Sequence, residues 1–178
     1  LRRHALMTYW RVASRMGDDV TVRPATVDDL DALRGVARSA WEAAYADTFD
    51  PATIDELLER GYADEVLEEL VDADDAALLV AVDEDVIGYA GAVEADEEPA
   101  ADLNVYVDPD RWGQGVGAQL LEATRDRLAD RGVERVSDYV LAANDVGNAF
   151  YGDHFDRVDE RQVEIAGETH DANVYEST

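Results

Sequence analysis

The sequence predicts an α+β fold: a single domain on a mixed, mostly antiparallel sheet flanked by helices. Three observations carry this. The chain's 178 residues suit one domain of ordinary size. Hydrophobic residues make up 47% and are spread along most of the length, so there is apolar surface enough to bury. Runs alternating with period two are interleaved with runs of helical spacing, in the order β α α β β β α β α β β.

Val20–Arg23 alternates and reads as a short strand. Thr26-x-x-Asp29 is a helix-start signal, a capping hydroxyl followed by an acid in the first turn. Leu30, Leu33, Ala37, Ala40, Trp41 and Ala44 then keep helical spacing. Asp50-Pro51 ends that helix and opens another, with Ile54, Leu57 and Leu58 on one face. Gly61 interrupts it, and Val66, Leu67, Leu70 and Val71 continue the pattern. Ala77–Val82, the turn Asp83-Glu84-Asp85 and Val86–Val93 read as a hairpin. After an acidic loop at Ala95–Ala100, Leu103, Val105 and Val107 alternate with polar residues in a further strand. A glycine-rich loop at 108–117 leads into a helix from about Gly117 to Arg131, with Leu120, Leu121, Thr124 and Leu128 facing inward and Gly132 as its stop. Val133–Leu141 is a strand, Asn144–Tyr151 a short helix, and 155–164 with 168–176 a closing hairpin around Ala166-Gly167.

Composition removes several chemistries. The chain has 42 acidic against 15 basic residues, a net charge of −27, and every basic residue is Arg. Without Lys there is no phosphate-loop lysine and no Schiff base. Without Cys there is no disulfide, thiolate metal site or cysteine nucleophile. His4, His154 and His170 form no HExxH pair, no GxSxG elbow is present, and no metal site is expected. The acid excess argues against a nucleic-acid partner, which needs basic side chains on one face. No apolar run reaches the ~18 residues that span a bilayer, so no membrane partner is expected either. High acid content without Lys resembles proteins of salt-accumulating halophiles, where molar salt screens self-repulsion; attraction of a cationic substrate is the other reading. A cytoplasmic location is expected.

Residues 1–17 differ from the rest. They carry Arg2, Arg3, Arg11 and Arg15 and no acid, begin at Leu1, and include Met7 and Met16 as candidate starts. We read them as a basic extension or the remnant of a mis-assigned start, outside a domain at 18–178.

The most informative segment is the loop from Val107 to Ala118, between a strand and a helix. Glycines let the backbone turn sharply and gather N–H groups, and the helix N-terminus adds positive charge, so the loop suits a pyrophosphate. Gly113-x-Gly115-x-x-Ala118 fits the spacing of a dinucleotide-binding fingerprint. That fingerprint sits tightly after its strand, whereas here five residues, Pro109 among them, separate Val107 from Gly113. The segment resembles instead the loop of the GNAT N-acetyltransferase superfamily, Gln/Arg-x-x-Gly-x-Gly/Ala after a strand ending Val-x-Pro. Val107-Asp108-Pro109 is the strand end, Gly115 and Gly117 are the two glycines, and Trp112 stands where the family has Gln or Arg. The family's next motif, Asn, then Tyr seven residues later, then an aromatic, is met by Asn144, Tyr151 and Phe155, with His154 in place of the usual Gly. The resemblance covers roughly residues 20–176.

This resemblance implies transfer of an acetyl group from acetyl-CoA, as cosubstrate, directly to the amine of a small molecule or peptide. Backbone amides of Trp112, Gly113, Gln114, Gly115, Val116 and Gly117 would hold the pyrophosphate, with a side-chain contact from Arg111. Val105, Tyr106 and Val107 would pair with the pantetheine arm as an added strand, and Asn144 would contact it. Tyr151 would be the general acid for the departing thiolate. The general base is open: the branch acetylating protein N-termini has a Glu five residues before the Asn, and here that residue is Tyr139. Asp102 and Glu94 are the candidates. Trp41 and Tyr45 share a helix face and are candidates to line the acceptor pocket, and Tyr175 is either core or pocket. Polyamine, aminoglycoside, amino acid and peptide acceptors all stay open, as do a homodimer through the last strands and a non-catalytic acyl-CoA- or partner-binding module of the same fold.

Overall fold

The computed structural model describes residues 19–96 and 98–177, so the expected basic extension at 1–17 lies outside the described residues. Strand β1 (Thr21–Pro24) is tied to the first helix by one carboxylate. Asp29 accepts from the Arg23 guanidinium at 2.7 and 2.8 Å, from the Thr26 amide at 2.8 Å and from the Thr26 hydroxyl at 3.1 Å. The expected capping signal is therefore real, and it also anchors the preceding strand. Helix α1 (Leu30–Tyr45) follows, with Leu30, Leu33, Val36, Ala37 and Ala40 buried along one stripe.

Helix α2 (Pro51–Gly61) begins as expected, with Pro51 in its first turn and the Asp50 side chain accepting from the Thr53 amide at 2.8 Å. The pattern after Gly61 is a separate helix, α3 (Asp64–Asp72), giving three helices where two were expected. Tyr62 leaves helical geometry, Ala63 is extended, and the Tyr62 carbonyl accepts from Arg34 Nε at 2.8 Å. A hydrogen bond from α1 thus fixes the break.

The remaining elements are β2 (Ala76–Asp83), β3 (Asp85–Glu94), β4 (Ala100–Val107), α4 (Val116–Ala129), β5 (Arg135–Leu141), α5 (Asp145–His154), β6 (Asp156–Ile165) and β7 (Glu168–Ser177). They complete one seven-stranded sheet of order β1-β2-β3-β4-β5-β7-β6. All neighbours are antiparallel except β4 and β5, which α4 joins as a parallel pair. Strand alternation divides the core in two. Ala77, Leu79, Ala81, Leu103 and Val136 pack with Leu120, Leu121 and Leu128 of α4, while Leu78, Val80 and Tyr89 pack with Leu33, Ile54 and Leu67 from α1, α2 and α3. The expected inward stripe of α4, including Thr124, is buried.

The feature that positions the site is a failure of pairing. β4 and β5 share three rungs, from Ala100 opposite Arg135 to Asp102 opposite Ser137. β5 then stays paired with β7 as far as Leu141, and β4 stays paired with β3 as far as Val107. The two strands diverge, leaving a wedge in the middle of the sheet.

Candidate active site

The wedge opens beside the glycine-rich loop. Gly113 and Gly115 have φ of +74° and +84°, a region that side chains disfavour, so the tight turn needs them. Gly115 caps α4, helical geometry starts at Val116, and the helix N-terminus with its free amides lies in the cavity wall. Gly117 serves a different need: a Cβ there would stand 2.9 Å from the Phe150 ring, so its bareness brings α5 against the start of α4. Trp112 is not idle at the family's Gln/Arg position. Its indole N–H donates to the Val107 carbonyl at 2.9 Å and pins the loop to the end of β4. Gln114 Nε2 donates to the Asp110 carbonyl at 3.0 Å. Arg111 pairs with Asp83 at 2.7 Å while still lining the wedge.

Helix α5 closes the other side. Asn144 caps it, accepting from the Gly147 amide at 2.8 Å, and its Nδ2 donates to the Tyr45 hydroxyl at 3.1 Å. A Cβ on Gly147 would lie 2.7 Å from Asn144 Nδ2, so this glycine keeps the cap in place. Tyr151 is 4% exposed, and its hydroxyl has no well-formed hydrogen bond to any protein group. A buried orphan of that kind is uncommon and marks a place built for something else. Its polar neighbours are the unpaired edge of β4 at Val105 and the Asp138 carboxylate. Burial, then the Asp138 charge, push the Tyr151 phenol well above its ordinary value and hold it protonated.

Asp138 was not among the sequence candidates. It sits on β5 between Val136 and Val140, whose side chains are buried on the α4 face. Burial raises its carboxyl to about 7, against the pull of the Tyr151 hydroxyl and of the Tyr139 amide, which donates at 2.8 Å; Asp102 pushes it further up and Arg161 pulls it down. The signal was present in the sequence: an acid on the apolar phase of an alternating strand.

Together these residues enclose a cavity of about 430 Å³, walled by β4 from Asn104 to Val107, the loop and α5. A second cavity, of about 540 Å³, lies between the sheet and α2 and α3, with Tyr62, Tyr89, Asp102 and Arg161 in its walls.

The sequence model of the Acetyltransferase (GNAT) family matches residues 34–155, more than half of the chain. The chain belongs to the GNAT acetyltransferase family. The chain is thus an acyltransferase, with relatives named for that activity. It is 26% identical to a spermidine N(1)-acetyltransferase of Thermoplasma acidophilum over 137 residues, 74% of this chain and 84% of that protein. It is 33% identical to a mycothiol acetyltransferase of Clavibacter sepedonicus over 139 residues, 77% of this chain but only 42% of that longer protein. The fold matches the crystal structure of a PaiA N-acetyltransferase from Thermoplasma acidophilum in complex with coenzyme A, with a TM-score of 0.76, 23% identity, and coverage of 88% of this chain and 97% of that one.

This GNAT acetyltransferase places its expected site residues unevenly. Val105, Tyr106, Val107, Arg111, Trp112, Gly113, Gly115, Val116, Gly117, Asn144 and Tyr151 all line the first cavity, as does Tyr45. Trp41 does not. It packs against the core under α1, its ring 4.8 Å from that of Tyr45 and 6.3 Å from that of Phe49, while Ala40, Ala44 and Tyr45 of the same helix line the cavity. Glu94 lies beyond the closed end of the wedge and pairs with Arg131 at 2.9 Å. Asp102 sits on the last rung between β4 and β5, exposed, accepting from the Ser137 hydroxyl at 3.1 Å. Tyr175 is core: it stacks on Tyr151, and its hydroxyl donates to Asn148 Oδ1 at 2.9 Å.

Proposed function

We propose that this GNAT acetyltransferase moves the acetyl group of acetyl-CoA directly to the primary amine of a small cationic molecule. The observation that carries the reading is the orphaned Tyr151 hydroxyl, buried in the wedge beside the unpaired edge of β4. An extended pantetheine arm satisfies that edge as an added strand. The amides of 112–117 meet the pyrophosphate, which suits a chain that has no Lys and whose Arg111 is already paired. Acetyl-CoA supplies the activated acyl group, and amides near Val107 polarise its carbonyl. Tyr151, kept protonated by its surroundings, stands ready to give its proton to the departing sulfur.

The second cavity supports this acceptor class. Asp102 puts negative charge on its wall and Asp138 adds to it once ionised, Arg161 is turned onto the Tyr139 ring at 4.3 Å, and Tyr62 adds aromatic surface that suits an alkylammonium. The spermidine relative, whose named substrate is a polycation, supports the same class. A peptide terminus would bring fewer positive charges to these carboxylates.

The test is titration calorimetry of acetyl-CoA with the wild-type chain and with Tyr151→Phe, followed by release of free CoA on adding amines. Micromolar binding by both proteins is expected, with turnover lowered about 10²-fold or more in the variant. Binding without turnover by the wild type would favour the non-catalytic acyl-CoA-binding module; absence of binding would sink both readings.

A further inference from the structure

Three residues, Asn104, Asp138 and Tyr139, form walls of both cavities. They mark the neck at which the wedge on the loop side meets the space beneath α2 and α3. A reaction that joins a group held in one cavity to a group held in the other takes place at this neck. Of the three, only Asp138 carries a base of carboxylate strength. The other titratable groups near the site stand off: of the two cavities, Asp153 and His154 wall only the one on the loop side, Asp102 walls only the second, and Glu94 walls neither. We propose that Asp138 takes the protons of the acceptor amine and returns one of them to Tyr151. This rests on the acetyltransferase reading above and assigns the base that the reading lacks.

The proton balance supports it. An alkylammonium must lose two protons on its way to an amide, and the departing sulfur must gain one. Asp138 takes the first from the ammonium, leaving a neutral amine. The nitrogen lone pair attacks the thioester carbon, the C–N bond forms and the C–S bond breaks. The Tyr151 O–H supplies the sulfur's proton, and Asp138, which lines the same cavity, restores it. The freed carboxylate then takes the second proton from the nitrogen and passes it to solvent. One proton ends on CoA and one in water, with no further reactant.

Tyr151 alone would serve poorly. Free thiols titrate near 8.5, and the Tyr151 phenol is held well above 10, so its proton would move uphill to the sulfur. A protonated carboxyl close behind the phenol makes the overall transfer favourable. The groups facing Asp138 are consistent with this role. Tyr45 from α1, Tyr106 and Asp102 from β4, Tyr139 from β5, Tyr151 from α5 and Arg161 from β6 are the titratable or charged groups coupled to it. Burial pushes the Tyr45, Tyr106 and Tyr151 phenols up, so they stay neutral at physiological pH, while Asp102 and Arg161 act on Asp138 in opposite directions.

The experiment compares wild type, Asp138→Asn and Asp138→Glu, with spermidine, tyramine and putrescine as acceptors, reading kcat/KM from CoA release between pH 5.5 and 10. Acetyl-CoA affinity is measured alongside, to show that the wedge is intact. Wild type should rise to a plateau with a bend near pH 7. Asp138→Asn should keep its acetyl-CoA affinity within twofold and lose about 10²–10³-fold in kcat/KM at pH 7. Its rate should then climb with unit slope toward the amine's own pKa, because only amine already neutral in solution can react. Asp138→Glu should recover at least a tenth of the wild-type rate and the bend. A variant profile parallel to that of wild type, or a loss below threefold, overturns the assignment. Wild type releasing no CoA with any acceptor overturns the acetyltransfer reading itself, and the assignment with it; that failure is told apart because it shows in the wild type.

Discussion

Two aspartates show how placement sets the sign of a carboxylate's contribution. Asp29 is held down to about 2, chiefly by the Arg23 guanidinium, with burial opposing and the Thr26 amide helping. It ionises more easily folded than unfolded, so its stabilisation is present above about pH 4 and is lost as pH falls toward 2. Asp138 runs the other way. Its carboxyl titrates at about 7 because burial outweighs its hydrogen bonds, so the folded chain keeps a proton that the unfolded chain releases near 4. Stability from this group therefore falls as pH rises from 4 through 7, and the penalty is complete above 7. Asp138→Asn, which cannot ionise, should stabilise the fold at pH 8 by on the order of 2 kcal/mol, seen as a higher melting temperature, and leave stability nearly unchanged at pH 4. Thermal melts at the two pH values decide this, and an equal effect at both would mean that charge is not the cause. The ionised form of Asp138 weakens the fold where enzymes work, which is how this carboxylate differs from the Asp29 anchor.

The elements were largely legible in the sequence because their signals are local. Asp50-Pro51 opens a helix, Leu120, Leu121 and Leu128 mark one face, and Asn144 caps; each acts within a turn or two of itself. What sequence reading missed depends on distant partners. The break at Tyr62 is held by Arg34 on another helix, and the wedge exists because β5 follows β7 and leaves β4. Trp41 and Tyr45 share a face, yet Tyr45 lines the cavity and Trp41 packs into the core beside it, a distinction that the packing of other elements makes and helical spacing does not. Asp138 was passed over because a strand was recognised by its apolar residues and not by the acid that broke their phase. The closing hairpin offers a local test. Ala166 and Gly167 occupy the turn with φ of +53° and +81°, so Ala166 bears a conformation that disfavours a Cβ. Asn accepts this conformation more readily, and Ala166→Asn should stabilise by about 0.5–1 kcal/mol without touching the site. Chemical denaturation should show a higher midpoint at constant slope, whereas an unchanged midpoint would place the turn outside the cooperative unit.

At the scale of the whole molecule the net charge of −27 dominates. Fifteen Arg residues can neutralise at most a minority of 42 acids, and most of their ion pairs are exposed at one end or both, where such pairs contribute little. We propose that molar salt supplies the missing screening. The Debye length shrinks from about 10 Å at 0.1 M to about 3 Å at 1 M, less than the spacing of most surface charges. The melting temperature should therefore climb steeply between 0.1 and 1 M KCl and flatten above, with NaCl equivalent. A gain that grew steadily to 4 M and was larger for sulfate would identify exclusion of salt from apolar surface instead. Charge reversal separates the two mechanisms within one protein. Glu68 and Glu69 are exposed on α3, a helix that carries acids and no basic residue. Glu68→Lys with Glu69→Lys should raise the melting temperature at 0.1 M KCl and have little effect at 2 M, because salt has already screened the repulsion that the substitutions remove. If the gain were the same at both concentrations, the added lysines would be acting through local contacts, and self-repulsion would not be what limits this fold in dilute solution.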